Sequence, residues 1–190
     1  MEQQVYLNQS FKNLAYADKQ TKNKEFEHCN FSNCDFLNGG FITCKFVDCV
    51  FTGCNLSMTK LNNCQLKNVI FKDSKLMGIN FSECADFLFV VSFEGCILDY
   101  ASFVRKKMTK TMFTNTSMKN VDFSMTDLTK SVFHNTELIN AVFDKTILRE
   151  VDMVTALNFS IDPELNTIKK ARFSLQGARG LLHKYDIFIE

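Results

Sequence analysis

Eight cysteines are the first residues in this 190-residue chain whose type and spacing suggest chemistry. Cys29, Cys34, Cys44, Cys49, Cys54, Cys64 and Cys84 are separated by multiples of five, and Cys96 follows. Zinc sites usually pair thiolates two residues apart, so C-x4-C does not read as a metal motif. His28, His134 and His183 are scattered, and none has the partners of a catalytic triad or a metal site. Arg105, Lys106, Lys107 and Lys110 form a local basic cluster on one side of the chain. It could touch nucleic acid, although solvated charge is the simpler reading. There is no Gly-rich phosphate loop and no paired set of inward carboxylates. The residues therefore nominate no catalytic, metal or cofactor-binding group, and the expectation is a protein that is not an enzyme.

The cysteine spacing belongs to a larger pattern. A large apolar residue recurs every fifth position from Phe26 to Phe81, then again from Phe93 to Met153 after a slip of two residues. An α-helix repeats at 3.6 and a strand at 2.0, so neither explains a period of five. Two positions before each apolar centre the residue is mostly small: all eight Cys keep that phase, with Thr111, Thr116, Thr126, Ser131, Thr136 and Thr146. Two positions after it, Asn, Asp and Gly recur, as in Asn33, Asn38, Asp48 and Gly53. Those types tolerate turns and left-handed backbone. A pentad thus reads as one short side and one corner. Four sides close a square of about 20 residues, and squares must stack to bury their interiors. Residues 20 apart should then share an interior column, as in Phe93/Phe113/Phe133 and Phe103/Phe123/Phe143. The expected core is Phe31, Phe36, Phe46, Phe51, Phe71, Phe81, Phe93, Phe103, Phe113, Phe123, Phe133 and Phe143.

The whole chain reads as a single domain. Residues 1–25 are an N-terminal cap or degenerate coil: Tyr6, Phe11 and Tyr16 keep the phase, and ADKQTKNKE reads as a polar excursion covering the open end. Residues 26–85 form a first stack, 86–92 the slip, and 93–173 a second stack. The slip, with its Phe87-Leu88-Phe89-Val90-Val91 run, is either a register correction or an apolar contact patch. Asp162-Pro163-Glu164 reads as a helix cap. Residues 174–190 read as a short helix with Leu181, Leu182 and Tyr185 on one face, then a strand-like Ile187-Phe188-Ile189.

Net charge is +1, which argues against a polyanion-binding protein and against an evidently acidic surface. No segment approaches the ~20 apolar residues of a membrane span, and no apolar signal core opens the chain. A cytoplasmic protein with reduced thiols is expected.

The pentads CNFSN, CDFLN, CKFVD, CVFTG, VDFSM, TDLTK and AVFDK resemble the pentapeptide-repeat family, written A-(D/N)-L-x-x. The resemblance spans roughly residues 26–173. It implies an all-β fold, a right-handed quadrilateral parallel β-helix, with a short C-terminal helix. Qnr-type members of that family protect DNA gyrase or topoisomerase IV from quinolones by imitating duplex DNA, and dimerise through a C-terminal helix. That likeness implies a homodimer contact at Leu181, Leu182, Tyr185, Ile187 and Ile189, a protein partner such as gyrase or topoisomerase IV, no cofactor, and no direct contact with nucleic acid or membrane. Charge speaks against mimicry, because a chain near neutrality imitates a polyanion poorly. A generic scaffold binding an unrelated protein is the alternative.

Overall fold

Most corners are made by one residue in left-handed backbone, two positions after an apolar centre. Asn33 (φ 52°), Asn38 (φ 53°), Asp48 (φ 53°), Asn115 (φ 52°) and Gly53 (φ 64°) hold such corners. The centre between two corners points inward, its two flanking residues point outward, and the small residue points inward again. Repeated four times per turn, this gives the right-handed four-sided parallel β-helix that the computed structural model describes over residues 4–188.

Four walls follow, each named by its inward centres. The first carries Tyr6, Phe26, Phe46, Leu66, Met108, Leu128 and Leu148. Its upper half is a four-stranded sheet of Gln4–Leu7, Lys24–Glu27, Lys45–Val47 and Gln65–Lys67. The second is a nine-stranded parallel sheet from Ser10–Lys12 to Arg172–Phe173. The third is laced by single bridges from Ala15↔Asp35 through Ile97↔Ser117 to Glu137↔Leu157. The fourth begins with Gln20–Lys22 paired to Gly40–Ile42 and continues through Asn80↔Ser102↔Asp122↔Val142.

The columns form as the spacing requires. Phe31 stacks on Phe51 at 4.5 Å, Phe93 on Phe113 at 5.6 Å, Phe113 on Phe133 at 4.6 Å, and Phe103 on Phe123 at 5.4 Å. Neighbouring columns meet edge to face, as Phe123 meets Phe133 at 5.9 Å. Offset stacks and edge contacts are the preferred arrangements of aromatic quadrupoles. Every one of the twelve expected Phe is buried.

The slip is a register correction. Strand Val69–Lys72 pairs with Val91–Glu94, 22 residues on instead of 20. The columns pass through undisturbed: Phe71 stacks on Phe93 at 5.4 Å and Phe81 on Phe103 at 4.7 Å. The extra residues are expelled onto the first wall. There Phe89 turns inward, while Phe87 is 70 % exposed and Leu88 adopts a positive φ.

Three expectations are corrected. The segment ADKQTKNKE is no cap: Thr21 sits in phase opposite Phe41, and its strand is an ordinary wall. A polar centre suffices there because only one side of that coil is covered. The short C-terminal helix is present as 3-10 rather than α: among the described residues the tail holds 3-10 turns at Gly177–Leu181 and His183–Tyr185, and Leu182 between them breaks the run. Two short tight turns cannot put Leu181, Leu182 and Tyr185 on one face: Leu181 packs on the core, whereas Leu182 and Tyr185 are exposed. Asp162 does not cap a helix; its Oδ1 accepts the Glu164 amide at 2.9 Å in a turn.

Candidate functional site

The interior is closed to chemistry. All eight cysteines are free and buried. Seven of the eight Sγ atoms, all but that of Cys84, donate to a backbone carbonyl one coil back, as Cys49 to Phe26 at 3.3 Å, Cys64 to Phe41 at 2.9 Å and Cys96 to Phe71 at 3.3 Å. Thr126 and Ser131 do the same, to Phe103 at 2.8 Å and Met108 at 2.7 Å. The position is therefore small for packing and a donor for satisfaction; its donor role follows from Cys, Ser and Thr being the small residues chosen. Burial pushes the Cys49 and Cys84 thiols up to about 12 and those of Cys54 and Cys96 to about 11. Cys64 is pushed up as well, first by its pairing with Cys44 and then by burial. Thiols so held are protonated and inert at neutral pH. Among the described residues no three His, Cys, Asp or Glu side chains gather to hold a metal ion.

One member of the basic cluster is not on the surface. Lys106 occupies the small inward position two before Met108 and is 2 % exposed. Its ammonium donates to the Cys84 carbonyl at 2.5 Å and to Asp86 at 2.6 Å, and lies 5.2 Å from the Phe89 ring. Lys106 pins the expelled loop to the coil below it. Its phase, two before a centre, marks it as inward from sequence alone.

What remains for recognition is the outer walls and the two ends. Most of the second wall is neutral, with Val50, Ile70, Met112 and Val132 along one outward line. On the third, Asp35, Asp99 and Glu137 alternate with Lys75 and Lys119. On the fourth, Asp122 and Asp144 lead to the turn holding Asp162 and Glu164, but Lys184 bonds both of the latter at 2.7 Å. No acidic stripe runs the length of any wall. The first wall changes sign along the axis. In its C-terminal half the segments 105–110, 125–130, 145–150 and 165–170 hold nine Lys or Arg against Asp127 and Glu150, a formal +7. Since the whole chain is +1, the rest of it carries −6. His28, His134 and His183 are all exposed; His28 lies 3.6 Å from Glu27.

The ends differ. Among the described residues nothing covers the first coil, where Tyr6, Phe11, Leu14 and Tyr16 line an open cleft. At the other end the 3-10 turns fold onto the last coil. A Cβ at Gly180 would meet the Phe159 carbonyl oxygen at 2.3 Å, so only glycine permits that approach. Beyond it Leu182 (37 %), Tyr185 (52 %), Ile187 (56 %) and Phe188 (102 %) face outward. Ile189 lies outside the described residues. Of the tail residues nominated by the sequence, Leu182, Tyr185 and Ile187 are thus surface groups and Leu181 is an anchor.

The sequence matches the family models described as pentapeptide repeat region, over residues 24–85, and pentapeptide repeats (8 copies), over residues 91–124 and 117–153. The chain belongs to the pentapeptide-repeat family. Among solved structures it is similar to full-length QnrB1, a plasmid-mediated fluoroquinolone resistance protein: identity is 15 %, the TM-score 0.60, and the alignment covers 96 % of this chain and 100 % of QnrB1. A trypsin-treated QnrB1 variant aligns over 98 % of both chains at 15 % identity and a TM-score of 0.58. HetL, a Nostoc pentapeptide-repeat protein involved in heterocyst differentiation regulation, aligns at 13 % identity and a TM-score of 0.48, covering 88 % of this chain and 84 % of HetL. Among curated proteins none matches this chain. At such identities the structural likeness speaks for the fold. Among the described residues no helix is long and apolar enough to cross a membrane.

Proposed function

We propose that this pentapeptide-repeat protein is a non-enzymatic interaction solenoid that engages a protein partner through its outer walls. One observation carries this reading: the interior is filled, with the Phe columns and all eight thiols buried, so variable side chains are presented only outward. A site-by-site photo-crosslinking scan in cells tests it, with the crosslinker at Tyr100, Lys107, Met112 and Val142, one exposed position on each wall. Discrete adducts confined to one wall are expected. Adducts at no wall would refute it.

The Qnr-type reading is more specific: a rod that imitates duplex DNA and shields gyrase or topoisomerase IV from quinolones. Similarity of fold to QnrB1 favours the shape it needs. The charge does not. Duplex DNA carries one phosphate charge per about 1.7 Å, and an imitation needs carboxylates coil after coil. Here the walls are mixed and one is basic. A gyrase supercoiling assay with ciprofloxacin is expected to show no protection at micromolar protein; dose-dependent protection would instead establish the Qnr-type role.

The exposed apolar tip of Leu182, Tyr185, Ile187 and Phe188 favours a tail-to-tail homodimer. An isologous contact would cover that patch on both copies at once. Sedimentation should give a dimer for the wild type and a monomer for Leu182→Ser/Phe188→Ser. A monomeric wild type would sink the dimer.

A further inference from the structure

The interaction reading leaves open which wall recognises what, and the first wall supplies an answer that rests on that reading. Its basic half is set up by corners. Lys110, Lys130 and Lys170 hold one corner column at φ 60°, 61° and 59°, with Glu150 between the last two at φ 55°; Arg105 and Lys145 hold the other at φ 63° and 52°, with Met125 between them at φ 59°. Left-handed backbone favours Asn, Asp and Gly. In the N-terminal half the same two columns use Asn8, Asp48 and Asn68, and Asn23 and Asn63. The two corner columns away from this wall keep Asn in the C-terminal half too, at Asn115 and Asn135, and at Asn120 and Asn140. Only around this wall, and only in this half, are conformationally suited residues exchanged for cations. Lys107, Arg149 and Lys169 fill the field between the corners, and all eight exposed cations are free to reach a ligand except Lys130, which lies 3.6 Å from Glu150.

A second feature sits on the same wall at the upper edge of the field. The expelled loop exposes Phe87, Leu88 and Val90. Between it and the coil below lies a depression of 210 Å³ lined by Leu88, Phe89, Val90, Lys107 and Lys110, with Asp86 at its edge. Its lining mixes the apolar groups of the loop with the Lys107 and Lys110 ammonium groups, Thr109, Thr111 and the Asp86 carboxylate. The buried Lys106 holds the loop from beneath through Asp86, whose carboxylate is 87 % exposed.

We infer that this half-wall docks an acidic protein segment whose apolar side chain enters the depression beside Phe87 while its carboxylates lie along the corner lysines. A nucleic-acid duplex has phosphates for the cations but offers no apolar side chain to Phe87 and Leu88. A bilayer needs several apolar groups projecting beyond the cations, whereas Leu88 and Val90 are about half covered and only Phe87 stands clear. A polypeptide can offer both signs and an anchor, and opposite charge would speed and orient its approach.

The test measures binding of the full chain to poly-Glu, to a Glu/Tyr copolymer of equal charge, to duplex DNA and to phosphatidylserine vesicles, at about 50 mM and about 300 mM salt. The copolymer is expected to bind tightest, with poly-Glu at least about tenfold weaker. Lys107→Glu/Lys110→Glu/Arg149→Glu should abolish both, and Lys107→Gln/Lys110→Gln/Arg149→Gln should weaken both. Phe87→Ser/Val90→Ser should reduce the copolymer to the poly-Glu level and leave poly-Glu unchanged. A control on other walls, Lys12→Glu/Lys60→Glu/Lys75→Glu, should change nothing. All these positions are exposed or on the loop, and circular dichroism checks the fold. Binding unaffected by the wall variants, equal binding of the two polymers, or preference for DNA or vesicles would overturn the inference. Crosslinked adducts on another wall, surviving the Glu variant, would refute this docking site while leaving the interaction function standing.

Discussion

Replacing Phe123 by alanine removes one ring from the middle of a column. Phe123 is fully buried and stacks on Phe103 and Phe143, each at 5.4 Å. It also meets Phe113 at 6.0 Å and Phe133 at 5.9 Å edge to face. A buried Phe→Ala change costs about 3–5 kcal/mol through lost transfer and the cavity left behind. Four ring contacts at about 0.5–1.5 kcal/mol each account for much of that sum, so they are not to be added to it. Against a typical domain stability of about 5–15 kcal/mol, the loss is a fifth or more. Phe123→Leu should cost only about 1–2 kcal/mol, because Leu fills the same place in the neighbouring columns at Leu128 and Leu138. Phe11→Ala, at the uncovered end, should cost less than Phe123→Ala, since Phe11 is only half-buried. Guanidinium unfolding followed by circular dichroism measures all three. Phe123→Ala should also broaden the transition, because each coil in a stack is stabilised by its neighbours alone. A cost below about 1 kcal/mol for Phe123→Ala, or an equal cost for Phe11→Ala, would refute the column argument.

Three further outcomes are expected. Burial raises the Cys49, Cys54, Cys84 and Cys96 thiols from 9.0 to about 12, 11, 12 and 11, so their contribution to stability is full below pH 9 and is lost as pH rises toward those values. Melting temperature should therefore fall above pH 9, and all eight thiols should be slow toward a thiol reagent when native and react without reductant once unfolded. At the tail, Lys184 lowers Asp162 and Glu164 below 3.8 and 4.5, and they in turn raise Lys184 above 10.5. The carboxylates' contribution is present above their ordinary values and lost as pH falls through the lowered ones; that of Lys184 is lost only in strong alkali. Thermolysin cleavage within residues 177–188 should be slow between those limits, faster in acid, and faster at neutral pH in Lys184→Met. Thr43 is a β-branched residue at φ 54°, a conformation it tolerates poorly. Thr43→Asn should stabilise by about 1 kcal/mol in the same guanidinium assay.

The columns were legible because every inward position meets the same surroundings coil after coil, so one rule of five repeats through the chain. Corners were legible for the same reason. Thr21 was not, because at the outermost coil burial is one-sided and no longer demands an apolar residue. Lys106 was hidden by its neighbours: a run of Arg105, Lys106 and Lys107 reads as one surface cluster until the phase is applied to each residue. The tail misled because a seven-residue stretch with apolar groups at three- and four-residue spacing suits an α-helix and two 3-10 turns alike. The basic wall was invisible to any local window. Lys110, Lys130, Lys145 and Lys170 are neighbours only after the chain has gone round the square, and the balanced total charge conceals them.

That wall also exposes a conflict between stability and recognition that can be measured. Each non-Gly residue in left-handed backbone costs about 1 kcal/mol, less for Asn, whose side chain bonds locally. The adjacent corner column shows the cheaper solution: the Asn135 amide donates to Asn115 at 3.2 Å, a rung between coils. Lysines at the equivalent corners give up both advantages. The one ion pair among them, Lys130 with Glu150 at 3.6 Å, is exposed and worth little. Lys110→Asn/Lys130→Asn/Lys170→Asn should therefore raise stability by about 1–2 kcal/mol in guanidinium while weakening acidic-polymer binding at about 50 mM salt. Opposite signs in the two assays are what a surface kept for recognition predicts. If the triple variant is both less stable and unchanged in binding, the corner lysines serve the fold, and the first wall has no claim to a partner.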